Sequence, residues 1–404
     1  MAKDYPAGIT AVTEVYGGGQ KLIAATIEYP REVAAVDLNL DAFRVKGFAV
    51  TGAYPSNCAR GLPRPKGRCV VLTLDTLDSG NTTLERVGRG PFTRLRVHPP
   101  RVTVSQIISL RAANGEELPP FEGVTSAQAD NGIVDRFAAQ VFQVPGTGEH
   151  LDYHLYIPDH LMPGHRYPLV LFMHDAGSCS DDRIAPLAQG NGALVWARDA
   201  AFGRRPCFVV APHYPTVCAN DDFEVTWQAD ATVELVKSLL ERYPVDAARV
   251  YGTGQSMGCM MLCGMMLKNP GFFAGSLLVA GQWSPERMVA AKDENLWAVV
   301  AAGDAKAYPI MGKAMRNMAK AGGKLSLGCL NARADASVLD AEIRRQKAQG
   351  ANLNFTWFEG KSILPPGTPD HPGMHHVATW GKAYDIKALR EWLFEQRASR
   401  RETS

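Results

Sequence analysis

From about residue 135 onward the chain alternates short, nearly unbroken apolar runs with longer segments of helical character. The runs are 167–173 (YPLVLFM), 207–212, 249–252, 276–280, 296–301 and 353–358. A strand is apolar along its whole length when both of its faces are covered. Helical segments at 184–200, 226–243, 257–269, 311–321 and 335–349 separate the runs, and a closing helix is predicted over about 380–396. Such alternation predicts a mainly parallel sheet with helices on both faces. Sheets of this kind bind ligands beyond the carboxyl ends of their strands, so the residues that follow each run carry the functional argument.

The first third reads differently. Strand-like stretches at 21–27, 48–51, 69–74 and 102–110 are separated by Gly17-Gly18-Gly19, Pro55-Ser56-Asn57 and Pro99-Pro100, and no long helical period precedes about residue 130. That spacing predicts a small all-β sandwich. The polar stretch 114–129, with Pro119-Pro120, reads as a linker or hairpin into the next domain. Two domains result, 1–125 and 126–404, in keeping with 404 residues at roughly 150 per domain.

Composition excludes several classes. Hydrophobic residues are 46% and charged residues 21% of the chain, ordinary globular values. A net charge of +2 provides no strong field for nucleic acid or anionic lipid. No apolar run approaches the roughly 20 residues that span a bilayer. Residues 1–8 contain no apolar signal core, so a cytoplasmic chain is expected, or a secreted one if it is already processed. No His, Cys and Asp residues have metal-ligand spacing, and Gly17 to Gly19 lack the Lys-Ser/Thr of a phosphate loop, so neither metal nor cofactor is expected. Cys259 and Cys263 share a helix face as small buried hydrophobes. Cys58 and Cys69 flank a Gly/Pro/Arg loop and are candidates for a disulfide in an oxidising compartment.

The 249–252 run ends in Gly254-Gln255-Ser256-Met257-Gly258, and an apolar helix follows through Met260, Met261, Leu262, Met265 and Met266. A G-x-S-x-G motif between strand and helix is the nucleophile elbow of the α/β-hydrolase fold. Ser256 then stands at the apex of a sharp turn, and glycines on both sides make room for it. The helix N-terminus beneath it favours developing negative charge. The 167–173 run ends in His174-Asp175-Ala176-Gly177. In this fold that loop supplies one oxyanion N–H, here from Asp175 or Ala176, and the residue after the nucleophile, Met257, supplies the other. His174 itself reads as structural.

A nucleophilic serine needs a base, and the base needs an orienting acid, in the chain order nucleophile, acid, histidine. Only His371, His375 and His376 follow Ser256. All three fall in a Gly/Pro-rich stretch read as the loop before the final helix. His376, four residues before Trp380, is the first choice, and His375 is the alternative. Asp304 follows the 296–301 run and is the candidate acid, with Asp370 as runner-up. Gln282 and Trp283 follow the 276–280 run and are candidates to line a substrate pocket, with core packing an equal reading for Trp283.

The elbow Tyr251-Gly252-Thr253-Gly254-Gln255-Ser256-Met257-Gly258, the stretch from His376 to Tyr384 and the closing Trp392-Leu393-Phe394 resemble bacterial esterases. These are relatives of the polyhydroxybutyrate depolymerases and of the predicted-peptidase group of α/β hydrolases. The β-rich first third is similar to the immunoglobulin-like domain that precedes the catalytic domain in some of them. The resemblance implies a serine carboxylesterase acting on small acyl or aryl esters through an acyl-enzyme, with no cofactor. It also implies a leading domain that makes a homo-oligomer or shapes the active-site entrance. Three departures stand out. Asp175 occupies a glycine position of the usual oxyanion loop, which narrows the acyl site. Lys306 stands where an acidic residue is usual after Gly303-Asp304. A segment of extra length spans about 323–350. A peptidase or amidase with the same triad is one alternative. A binding protein working through its immunoglobulin-like domain, with no catalysis, is another.

Overall fold

A computed structural model of the chain describes residues 6–76, 79–88 and 93–398. The chain divides into two units, one of residues 1–85 and 97–136, the other of residues 86–96 and 137–404. In the first unit Gly8–Tyr16 and Gly19–Ala34 pair antiparallel, Lys66–Leu74 and Val50–Ser56 extend that sheet, and Gln128–Asp130 joins its other edge. A second sheet holds Phe121–Thr125, Thr103–Gln106 and Phe43–Val45 in that order. Ile9, Ile27, Tyr29 and Leu72 of the first sheet meet Phe43 and Val104 of the second in one core. Within it the Tyr29 hydroxyl donates to Gln106 Oε1 at 2.6 Å, which satisfies the polar tip of a buried phenol.

Residues 114–129 are neither linker nor simple hairpin. Val124 pairs with Val104, and Gln128 pairs with Thr10, so this stretch is built into both sheets of the first unit. Only Leu118 and Ser126 of the stretch are buried, and so few inward residues leave no alternation to read.

The second unit contains a nine-stranded sheet. Its strands are labelled β1 (Phe137–Gln143), β2 (His150–Tyr156), β3 (Tyr167–Met173), β4 (Phe208–His213), β5 (Val245–Gln255), β6 (Gly275–Val279), β7 (Leu296–Ala301), β8 (Leu325–Leu330) and β9 (Leu353–Phe358). Their order is β1-β2-β4-β3-β5-β6-β7-β9-β8. The pairs β1–β2 and β2–β4 are antiparallel, and all the others are parallel. The helices are α1 (Ala185–Ala188), α2 (Leu194–Ala201), α3 (Trp227–Arg242), α4 (Met257–Lys268), α5 (Ala307–Lys320), α6 (Ala336–Lys347), α7 (Pro372–Asp385) and α8 (Lys387–Glu395). Every residue of β3 and β7 is buried, which is why both read as unbroken apolar runs. Each Val, Leu, Phe or Met side chain among them contributes roughly 1.5–3 kcal/mol over leaving it in water. The sheet is mainly parallel and flanked by helices, and the whole is an α/β-hydrolase fold preceded by an all-β unit.

Several elements depart from expectation. β1 and β8 lie on the two edges of the sheet and expose alternate residues, so neither forms an apolar run. The extra segment 323–350 supplies β8 and α6. The predicted helix over 184–200 breaks into α1 and α2 at Gly190-Asn191-Gly192, where the Asn191 amide donates to Asp385 at 2.6 Å. The closing helix begins earlier than expected. Pro372 opens α7 where no N–H is needed, and His371 Nδ1 caps it by accepting from the Gly373 N–H at 3.1 Å. His375 and His376 therefore stand on a helix and not in a loop. Cys58 and Cys69 are both free thiols: Cys69 is buried in a strand opposite Ser56, and Cys58 is exposed beyond that pairing. Among the described residues no helix is long and apolar enough to cross a membrane, and no cluster of His, Cys, Asp and Glu is arranged to hold a metal.

Candidate active site

β5 passes into α4 through one residue, Ser256, with φ 52° and ψ −116°. A non-glycine residue in such a conformation costs on the order of 1–3 kcal/mol and persists only where its surroundings enforce it. Here the Ser256 N–H donates to Val279 of β6 at 3.0 Å, and its carbonyl accepts from the Met260 N–H at 3.1 Å. Two glycines make the turn sterically possible. A Cβ on Gly258 would lie 2.0 Å from the Met173 carbonyl oxygen, and one on Gly254 would lie 2.5 Å from the Gly258 carbonyl carbon.

His376, from the early turns of α7, places Nε2 2.8 Å from Ser256 Oγ. Its Nδ1 lies 2.5 Å from Asp304 Oδ2. Asp304 follows β7, and its other carboxylate oxygen accepts the N–H groups of Lys306 and Ala307 at 3.0 and 2.9 Å, at the start of α5. The carboxyl is 4% exposed. Burial pushes its pKa up, but the hydrogen bond from His376, and then the two backbone N–H groups, outweigh burial and hold it below the ordinary carboxylate value. Trp380, one turn along α7, meets the His376 ring edge-on at 5.5 Å.

The alternative pair lies elsewhere. His375 Nε2 is 2.8 Å from Asp370 Oδ1, and Asp370 also pairs with Lys361. The His375 ring packs over Gly303, where a Cβ would lie 2.4 Å from it. Asp370 and His375 are thus brought to each other and not to Ser256.

The loop after β3 is held by its own side chains. His174 is fully buried, its Nδ1 lies 2.8 Å from the Asp175 carbonyl, and its Nε2 accepts from the Tyr214 N–H at 3.0 Å. Burial pushes its pKa down to about 4, so the ring is neutral and structural. The Asp175 side chain does not narrow the cleft. It is turned inward, where Oδ2 accepts from Ser178 Oγ at 2.7 Å and Gln255 Nε2 at 3.1 Å. Ala176 faces the cleft beside Met257. Neither the Ala176 nor the Met257 N–H has an acceptor among the described residues.

A cleft of about 590 Å³ opens over Ser256 and His376. Val217, Ala219, Met257 and Met260 give it an apolar wall, and Asp221, Gln282 and Lys306 a polar one. Gln282 Nε2 donates to Asp221 at 2.9 Å, and Lys306 meets the same carboxylate at 2.5 Å. The Lys306 hydrogen bond, against a smaller effect of burial, holds Asp221 below the usual carboxylate range. Nothing in the sequence marks the 217–221 loop except its position after β4. Trp283 is not part of this cleft. It packs edge-on against Phe223 at 5.8 Å and lines a separate groove with Leu267 and Arg287. Another cavity, of about 710 Å³, lies at the start of β3 around Tyr167. Its arginines are already engaged, Arg205 with Glu391 at 3.2 Å and Arg249 with Asp246 at 2.7 Å.

A nine-stranded mainly parallel sheet with a serine elbow after β5 and a histidine–carboxylate pair at the same strand ends defines an α/β hydrolase. Residues 8–119 match the family model of the esterase Ig-like N-terminal domain, so the chain carries that domain ahead of its α/β-hydrolase unit. A solved structure of a thermostable esterase is similar to the chain at 26% identity and a TM-score of 0.80, over 96% of this chain and 99% of that one. A feruloyl esterase module from Clostridium thermocellum, complexed with sinapinate, matches at 14% identity and a TM-score of 0.39, over 63% of this chain and 89% of that one. A fluorophosphonate-binding serine hydrolase from Staphylococcus aureus matches at 13% identity and a TM-score of 0.38, over 64% and 98%. No curated protein matches the chain.

Proposed function

We propose that the chain is a serine carboxylesterase that hydrolyses small acyl or aryl esters through an acyl-enzyme, with Ser256 as nucleophile, His376 as base and Asp304 as orienting acid. The relay from Ser256 Oγ to His376 Nε2 at 2.8 Å and from His376 Nδ1 to Asp304 at 2.5 Å carries the reading. The likeness to a thermostable esterase over almost the whole chain supports it.

The steps follow from which atom holds each proton. His376 carries its proton on Nδ1, donated to Asp304, so Nε2 is free to accept from the Ser256 hydroxyl. As Oγ attacks the ester carbonyl carbon, its proton passes to Nε2, and the carbonyl oxygen takes the negative charge. The N–H groups of Met257 and Ala176 receive that charge. Collapse of the tetrahedral species breaks the bond to the alcohol oxygen, which leaves with the proton from Nε2. Water then attacks the acyl-enzyme, gives its proton to Nε2, and releases the acid as that proton returns to Oγ. The cleft, with one apolar and one polar wall, suits a compact ester. Ser256→Ala is expected to abolish turnover of p-nitrophenyl acetate while leaving the circular dichroism spectrum unchanged; full turnover by that variant overturns the reading. Ester and matched amide substrates of increasing acyl length separate an esterase from an amidase.

A further inference from the structure

We infer that Asp175 and Gln255 are a positioning pair that fixes the separation of the two oxyanion N–H groups; this rests on the esterase reading above. One donor, the Ala176 N–H, sits on the loop after β3. The other, the Met257 N–H, sits on the elbow after β5. The last rung of the β3–β5 ladder pairs Met173 with Gly254. Beyond that rung one chain turns into the loop and the other into the elbow.

The next link across this gap is made by side chains. Asp175 Oδ2 accepts from Gln255 Nε2 at 3.1 Å. Asp175 immediately precedes Ala176, and Gln255 immediately precedes Ser256, so each partner sits beside the segment that carries one donor. The pair is anchored on both sides. Ser178 Oγ donates to the same Asp175 oxygen at 2.7 Å, closing the loop on itself, and Gln255 Nε2 also reaches Gln189 Oε1 at 2.9 Å. Asp175 and Gln255 are 1% and 2% exposed, so no water competes for the bond. A buried carboxylate is costly to place and acts here as more than filler. An oxyanion hole works only when its donors stand about 2.7–3.1 Å from the developing charge. A link that holds the two segments in register therefore acts on the transition state and not on the resting substrate.

The test uses Asp175→Ala, Gln255→Met, the double variant and Asp175→Asn, each normalised to the active serine by fluorophosphonate titration so that misfolded protein does not count. Turnover of p-nitrophenyl acetate is compared with inhibition by an aryl trifluoromethyl ketone, which adds to the serine as an oxyanion. Each apolar variant is expected to lose about 10- to 100-fold in kcat, less than the ~10²–10³ that follows removal of a donor. Affinity for the ketone is expected to fall by the same factor, with KM little changed. The double variant is expected to lose no more than the worse single one, since paired residues are not additive. Asp175→Asn, which keeps an acceptor oxygen, recovers most of the loss. Wild-type kcat per active serine in the apolar variants overturns the pair. So does a loss confined to KM with ketone affinity intact, or additive losses in the double variant. A wild-type protein that neither turns over the ester nor labels at Ser256 overturns the esterase reading, and the pair with it.

Discussion

At Ser256 the chain holds a residue other than glycine at φ 52°, and the surrounding hydrogen bonds and glycines leave it no other course. Asp304 is the residue whose removal tells most about the relay. Asp304→Asn leaves the shape but frees His376 to adopt the wrong tautomer, and kcat is expected to fall by about 10⁴-fold. The same carboxyl is linked to stability. Its folded pKa is depressed by His376 and by two backbone N–H groups despite its burial. Its contribution is therefore fully present above the ordinary carboxylate pKa and lost as pH falls through the folded value. The stability difference between wild type and Asp304→Asn, read by urea titration, is expected to be level above about pH 5 and to shrink below about pH 4. The meeting of Ser256, Asp304 and His376 was legible because motif, strand end and chain order each narrow the choice. The inward turn of Asp175 toward Gln255 was not legible, because nothing local in either residue announces a partner 80 positions away.

At the scale of elements, the closeness of α4 to the end of β3 sets the site. Gly258→Ala would put a methyl group 2.0 Å from the Met173 carbonyl, a backbone atom that cannot move aside. The variant is expected to lose more than about 3 kcal/mol of stability, the cost of overpacking at its upper end, together with turnover. A second effect belongs to the buried histidines of β2, β4 and the loop after β3. Burial pushes His154 and His174 down to about 4, and His213 is also lowered. In the unfolded chain these histidines take up protons near pH 6.5, while folded His154 and His174 resist until about pH 4 and burial holds folded His213 below its ordinary value. Their contribution is present above pH 6.5 and is lost as pH falls across that window. For His174 it is on the order of 3 kcal/mol, and His174→Gln is expected to flatten the acid limb of a plot of urea midpoint against pH. The parallel strands were legible as apolar runs because both faces are covered. The edge strands β1 and β8 were not, because half of each strand faces solvent. The start of α7 was masked by Pro372 and Gly373, residues that suggest a loop until the His371 cap is seen.

For the molecule as a whole, two units with separate cores explain why the sequence changes character near residue 135. The first core is built from Ile27, Tyr29, Val70 and their neighbours, and the second from the faces of the nine-stranded sheet. Ile27 is fully buried, and Ile27→Ala is expected to cost roughly 2–5 kcal/mol in the stability of the first unit, measured by urea titration. The β character of the first third was legible from its turns and short apolar stretches. The strands within 117–130 were not, because most of their side chains are exposed and the few that reach the core, Leu118, Phe121 and Val124, are too scattered to form a pattern, while backbone pairing with Thr10 and Val104 ties the stretch into both sheets.

The most direct measurement is to treat the intact protein with a fluorophosphonate probe and map the modified residue by mass spectrometry of its peptides. A single adduct on Ser256, absent after heat denaturation and slowed in His376→Ala, is the expected result. An unlabelled protein, or an adduct on any other serine with Ser256 untouched, contradicts the assignment of this site.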